Sequence, residues 1–161
     1  MSLPDVAHDL FHRLAVCGGR GIDTTGTIKL RCLLLAKQIN AEAVVDARLM
    51  EMNFGSWESR LWADLPRLEV DAWLDDFLNF GPPAGESLRT VSARLFAFIQ
   101  ELDGDEAVIV VTHATILRLL LFWDVDFDPV RLFKEKLSFG EYRSFSLKGL
   151  QEVRKPLGLV F

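Results

Sequence analysis

The 161-residue sequence has few cysteines, a deficit of basic residues and no long apolar run. Its two cysteines cannot build a disulfide framework, so we expect a reduced, cytoplasmic protein. Its 18 Lys and Arg against 23 Asp and Glu give a net charge of −5, which argues against nucleic-acid binding because that requires a basic face. No apolar stretch approaches the ~20 residues of a membrane-spanning helix, and the first residues do not resemble a secretory signal. We therefore expect neither nucleic acid nor a membrane as a partner.

What the chain has is apolar content: half of its residues are hydrophobic, enough for the core of one domain. It contains no internal repeat or linker, so residues 1–161 are predicted to form a single α/β domain. Helices are predicted at residues 27–40, 58–78 (broken at Pro66) and 86–103, and strands at 43–46, 107–111, 136–147 (strand or hairpin) and 151–161. The apolar residues expected to be buried in the second of these helices are Trp62, Leu65, Leu68, Val70, Trp73, Leu74 and Phe77.

A strand-to-helix junction within residues 107–118 carries the first candidate site. Five apolar, mostly β-branched residues are typical of a strand buried on both faces. Thr112 and His113 follow them, before an apolar helix. Ligands bind at the carboxyl edge of open α/β sheets, so both side chains could face a ligand. In the alternative interpretation, Thr112 is a helix cap and His113 is incidental.

Three further segments carry polar residues that could bind an anion or transfer a proton. Arg31 lies in the first turn of a predicted helix, where it is either solvated or faces a bound anion. Residues 48–58 form a mixed acidic and aromatic segment around Glu51, without a helical or strand period. A glycine-rich turn at residues 17–26 could cradle phosphate through its backbone N–H groups, although it matches no standard phosphate-binding motif.

Four motifs resemble those of the histidine phosphatase (phosphoglycerate mutase-like) superfamily. Residues 110–118, Val-Val-Thr-His-Ala-Thr-Ile-Leu-Arg, resemble its second histidine motif, and residues 49–58, Leu-Met-Glu-Met-Asn-Phe-Gly-Ser-Trp-Glu, resemble its acid segment. Gly-Glu-Ser-Leu at 85–88 is similar to its Gly-Glu-Ser helix start, and residues 30–36 to the helix of its second phosphate-binding arginine. Residues 65–77 and 17–23 look like those of the α-ribazole phosphatases in particular.

The resemblance implies an α/β three-layer sandwich with a mostly parallel central sheet. It also implies a phosphomonoesterase that works through a phosphohistidine, with no cofactor and no metal. Its partner would be a small phosphate monoester or inorganic phosphate. By resemblance, His113 is the second catalytic histidine, Glu51 the general acid and base, and Arg31 a phosphate ligand. The further candidates for phosphate binding are Thr112, Arg13 and Arg20.

The chain departs from the family at the nucleophile. The family's first strand ends in Arg-His-Gly or Arg-His-Thr, and this sequence has no Arg-His pair. His12, in the order His-Arg, is the remaining candidate for the catalytic nucleophile, and a shift of one residue on a strand turns a side chain to the opposite face. Arg31 follows His12 by only 19 positions, whereas a βαβ unit takes ~30 residues. Residues 1–26 are therefore read as divergent, with a reduced first βαβ unit.

Two functions stay open on the sequence. One is a phosphomonoesterase resembling the α-ribazole phosphatases of cobalamin biosynthesis, with impaired turnover. The other is a catalytically inactive relative that keeps a phosphate pocket or only the fold. In either case, a reduced sheet would leave apolar surface that a second copy of the chain could cover as a homodimer.

Overall fold

The computed structural model describes residues 13–17, 26–39, 42–103, 107–123, 129–138 and 140–153 of the chain. Three parallel strands form a sheet of order β2-β1-β3: β1 (Arg13–Cys17), β2 (Val44–Asp46) and β3 (Val108–Val111). Ala15 of the central strand pairs with Val44 on one side and with Val110 on the other. Because the strands are parallel, all three carboxyl ends meet at one edge of the sheet. This arrangement agrees with the predicted α/β fold.

Six α-helices accompany this sheet in the described ranges. They are α1 (Gly26–Ile39), α2 (Arg67–Asp75), α3 (Leu88–Gln100), α4 (Ala114–Leu121), α5 (Pro129–Lys134) and α6 (Leu147–Glu152). Short 3₁₀ turns occupy Ala47–Leu49, Gly55–Trp57 and Trp62–Asp64. None of the described helices combines the length and the apolar character needed to cross a membrane.

Helix α3 runs through the centre of the core, and its prediction is confirmed. Ser87 caps its start, because the Ser87 hydroxyl accepts a hydrogen bond from the Thr90 N–H at 3.3 Å. One face of the helix is buried at a spacing of three and four residues, as expected for an amphipathic helix. The buried apolar residues of this face are Leu88, Val91, Leu95, Phe98 and Ile99.

Helix α2 packs through an aromatic cluster around Trp73, and its predicted buried set is partly wrong. The Trp73 ring lies 5.7–6.3 Å, between centroids, from the rings of Phe54, Trp57, Trp62, Phe77 and Phe133. Trp73 and Phe77 are buried, whereas Leu68 is 85% exposed and Leu74 57% exposed. Trp62, in the turn before the helix, is 60% exposed. A helix of nine residues buries only one side, so apolar residues on its other side stay in solvent.

One strand prediction is corrected, and a second is wrong at its first two residues. The described part of residues 136–147 contains no strand, Gly140 has a φ of +73°, and a helix begins at Leu147. Alternating polar and apolar residues fit an extended segment even where no neighbouring strand pairs with it. The alternation at residues 136–147 therefore does not by itself establish a strand. In the predicted strand at 151–161, Gln151 and Glu152 belong to α6, Val153 lies in no strand, and residues 154–161 lie outside the described residues. Residues 108–110 of β3 are only half-buried, and among the described strands β3 pairs with β1 alone.

We expect Leu95→Ala to lower the free energy of unfolding by about 2–5 kcal/mol, because it removes a side chain from the centre of the core. Leu95 is 1% exposed. The matched change Leu68→Ala, on the exposed side of α2, should alter it by less than about 0.5 kcal/mol. Urea unfolding followed by circular dichroism measures both, and equal losses would contradict the packing of α3.

Candidate functional site

His113 lies where β3 ends and α4 begins, at the carboxyl edge of the sheet. It occupies the N-cap position of α4 with an extended backbone, φ −113° and ψ 171°, and its side chain makes no capping hydrogen bond. The Thr112 hydroxyl donates to the Leu49 carbonyl oxygen at 2.7 Å, so the interpretation of Thr112 as the helix cap is wrong. Thr112 joins β3 to residues 48–53, which surround Glu51. From here on, the name acid segment refers to these six residues and not to the whole motif at 49–58.

The Glu51 carboxylate lies beside the start of α4. Its Oε2 accepts a long hydrogen bond, 3.5 Å, from the backbone N–H of Thr115, two residues after His113. Its Oε1 accepts from the N–H of Met52 at 2.9 Å. The positive end of a helix dipole stabilises a carboxylate in this position. The structure therefore brings Glu51 and His113, which were predicted from separate motifs, to the same helix start.

Cys32 of α1 contacts His113 from another side. Its sulfur lies 3.8 Å from Nδ1 and 3.7 Å from Nε2 of the imidazole, and 3.7 Å from the Thr112 carbonyl oxygen. Cys32 is buried, and its nearly equal distances to the two nitrogens indicate that it packs against the ring. Sequence reasoning considered this cysteine only as a disulfide partner and missed the contact. Among the described residues, no cluster of His, Cys, Asp and Glu is suited to hold a metal ion.

Arg31 is the neighbour of Cys32 on α1, and its side chain is exposed. It makes no hydrogen bond or ion pair within the part of the chain that the structure describes. Because the next residue touches His113, the Arg31 backbone lies at the carboxyl edge of the sheet. A guanidinium at this edge is suited to the planar, bidentate binding of an anion.

Of the N-terminal candidates, the structure describes the backbone of Arg13 alone and places it away from this site. Arg13 begins β1 and pairs with Val108, at the amino edge of the sheet, whereas His113 follows the other end of β3. At about 3.3 Å a residue, five residues of strand separate the two backbones by roughly 17 Å. His12 and Arg20 lie outside the described residues.

Arg94 of α3 holds the acid segment, and sequence reasoning missed it. Its Nη1 donates to the Arg48 carbonyl oxygen at 2.6 Å, and its Nη2 to the Glu51 carbonyl oxygen at 3.1 Å. Its Nε and Nη2 also bind the two carboxylate oxygens of Glu86, at 2.9 and 3.1 Å. The available signal was a cation at position 94 that follows the Gly-Glu-Ser motif on a largely buried helix. In a single sequence, a cation at such a position is ordinarily interpreted as a solvated surface residue.

Two glycines let the end of the acid segment and the residues just after it lie against the turn that precedes α3. Gly55 has a φ of +54°, and a Cβ built there would lie 2.2 Å from the Pro83 carbonyl oxygen. A Cβ on Gly85 would lie 2.7 Å from the Asn53 carbonyl oxygen. Only glycine tolerates such close approaches of backbone to backbone. The Phe-Gly-Ser and Gly-Glu-Ser motifs are therefore one packing unit.

Two other arginines near the site have structural partners. Arg48 pairs with Asp46 at 2.7 Å and with Glu101 at 2.8 Å. The hydrogen bonds that Arg48 donates to the carboxylates of Asp46 first, and then of Glu101, raise the pKa of Arg48 above its ordinary value. Arg118 donates from Nε to the Glu135 carbonyl oxygen at 3.1 Å. Neither of them replaces Arg31 as a candidate anion ligand.

A family model and a curated relative match this chain, and both concern phosphatases. The Histidine phosphatase superfamily (branch 1) matches residues 30–150. Adenosylcobalamin/alpha-ribazole phosphatase of Escherichia coli is 31% identical over 97 residues, which cover 56% of this chain and 47% of that protein. The chain thus spans about half the length of this relative.

Two solved structures have a similar fold. The phosphoglycerate mutase of Thermus thermophilus aligns at 26% identity and a TM-score of 0.53, over 77% of this chain and 66% of that one. The alpha-ribazole phosphatase of Shigella flexneri aligns at 22% identity and a TM-score of 0.57, over 74% and 61%. At this identity the second likeness is one of fold alone.

We expect Thr112→Val to lower the free energy of unfolding by about 1–3 kcal/mol, because it leaves the Leu49 carbonyl without its donor. Thr112→Ser keeps the hydroxyl and should retain most of that stability. Chemical denaturation of both variants tests the contact. Equal behaviour of the two would show that the hydroxyl is not what ties β3 to the acid segment.

Proposed function

The chain belongs to branch 1 of the histidine phosphatase superfamily, and we propose that it is a phosphomonoesterase acting on a small phosphate monoester at the Glu51–His113 site. The observation that supports this most directly is the Glu51 carboxylate at the start of α4, two residues from His113. Proton transfer to a leaving oxygen and stabilisation of phosphoryl charge need such a pair. We also propose that the domain completes the family's three-layer sandwich.

The proposed reaction has two steps and needs neither cofactor nor metal. A histidine nitrogen attacks phosphorus, and an N–P bond forms as the P–O bond to the alcohol breaks. Glu51 gives its proton to the leaving oxygen, then takes a proton from the water that attacks the phosphohistidine, and inorganic phosphate leaves. Arg31 binds the phosphate oxygens through its fork, and His113 donates to the charge that develops there.

Strand β1 supplies the observation that favours a second candidate function. The family's first strand ends in Arg-His, but here β1 ends at Cys17, and Gly18 and Gly19 follow in the sequence. His113 is the only histidine among the described residues. A chain whose first strand delivers no imidazole to this edge would bind phosphate without forming a phosphohistidine. The second candidate is therefore an inactive relative that retains the phosphate site.

The substrate class is proposed from the relatives. The Escherichia coli relative is named for adenosylcobalamin and α-ribazole phosphate chemistry, which makes α-ribazole phosphate the first substrate to test. A mutase function is less well supported, since a mutase must hold a second phosphate. This acidic chain has no additional basic cluster in its sequence for that purpose.

We expect slow hydrolysis of p-nitrophenyl phosphate and α-ribazole phosphate by the wild type, reduced at least about 100-fold in His113→Ala and in Glu51→Gln. Glu152→Gln, an exposed acid at the end of α6, serves as the control and should keep full activity. An equal loss in His12→Ala identifies His12 as the nucleophile. Turnover that survives both His113→Ala and Glu51→Gln contradicts the mechanism.

We expect inorganic phosphate to bind the wild type, and Arg31→Met to weaken that binding about tenfold or more, because hydrogen bonds to a charged group are lost. Lys37→Met removes a cation from an exposed position on the same helix and should leave the affinity unchanged. Isothermal titration calorimetry measures both. Binding without turnover selects the inactive relative, and absence of both binding and turnover refutes the proposed site.

A further inference from the structure

We propose that Arg94 is a positioning residue, which holds the Glu51 carboxylate at the start of α4 without touching the substrate. The inference rests on the proposed function above, because it concerns the same acid. Arg94 lies on α3, and its side chain is only 17% exposed. It reaches Glu51 through the main chain and not through the carboxylate.

The acid segment needs such a residue because no strand among the described residues pairs with it. Four of its carbonyl oxygens accept hydrogen bonds from outside the segment: Arg48 and Glu51 from Arg94, Leu49 from Thr112, and Asn53 from the backbone N–H of Glu86. The side chains of Leu49 and Met52, on either side of Glu51, are fully buried, at 0% and 2% exposure. Backbone carbonyls in such surroundings require partners, and Arg94 alone supplies two of the four.

An arginine fits this place for a geometric reason. One side of its guanidinium binds both oxygens of the Glu86 carboxylate, and its Nη atoms bind the two carbonyls of the acid segment. The Glu86 carboxylate also accepts a hydrogen bond from the Asn53 N–H at 2.9 Å. The carboxylate that neutralises the charge of Arg94 therefore binds the same acid segment. A lysine ammonium is a point charge without this planar fork and cannot replace all of these bonds at once.

The connection from Arg94 to the acid is short. Arg94 fixes the Glu51 carbonyl, and the next peptide N–H, that of Met52, donates to Glu51 Oε1 at 2.9 Å. The carboxylate is thereby tied to a main chain that is itself anchored. Its other oxygen is then directed to the N–H of Thr115. Loss of Arg94 should release the carboxylate while leaving its chemical nature unchanged.

The first test follows the amide resonances of Met52 and Thr115 by NMR while the pH is varied across the range in which carboxylates titrate. Both N–H groups donate to Glu51, so their shifts should report its ionisation in the wild type and lose that response in Glu51→Gln. We expect Arg94→Met to lose the Thr115 response as well, and Arg94→Lys to retain part of it. The matched control is Arg89→Met, which removes an arginine of the same helix that binds Asn79. A Thr115 response in Arg94→Met equal to that of the wild type overturns the inference.

The second test separates positioning from general stability. On p-nitrophenyl phosphate, Arg94→Met should lower kcat about tenfold or more with little change in KM, since the lost contact acts on the proton donor. Combined with Glu51→Gln it should cause no further loss, because two residues that act through one group are not additive. Additive losses contradict the inference. If the wild type neither binds phosphate nor turns over, the proposed function fails, and the amide titration still decides the role of Arg94.

Discussion

The carbonyl oxygens of the acid segment are the constraint on which the rest of the site depends. The segment lies between β2 and α2 and pairs with none of the described strands, so its backbone carbonyls find donors in side chains and turns. Arg94 and Thr112 supply three of the four donors, and the backbone of Glu86 supplies the fourth. A helix, a strand end and a turn thereby converge on six residues. These contacts hold the main chain of Glu51 where its carboxylate accepts the Thr115 N–H, two residues after His113.

Much of the fold could be predicted from the sequence, because local patterns determine it. Helix α3 follows from its apolar spacing and from Ser87, and the break before α2 follows from Pro66. The late strand was mispredicted, since alternation does not show whether a partner strand exists. The exposed Leu68 and Leu74 were misjudged because their apolar character says nothing about which side of a short helix meets the core.

The residues of the site also fall into two groups, those that sequence motifs predict and those that only the fold brings together. Glu51 and His113 were found through motifs, and their proximity depends on the fold that those motifs imply. Arg94 and Cys32 were missed because their contacts are decided in three dimensions and not by neighbours in the chain. Arg13 looked suitable by residue type, but the register of β1 puts it at the amino edge of the sheet, away from His113. Residue type indicates which chemistry is available, whereas register decides which end of the sheet receives it.

The contacts that build the site also bear on how the chain folds. Arg94 meets the Arg48 carbonyl across 46 positions, Thr112 meets that of Leu49 across 63, and Cys32 meets His113 across 81. Contacts of such high sequence separation are entropically costly to close and form after local helices. The helix start that carries His113 and binds Glu51 is therefore complete only once α1, α3 and β3 have docked. A partly folded chain would contain its helices but not the assembled site. The site is therefore complete only after the last steps of folding.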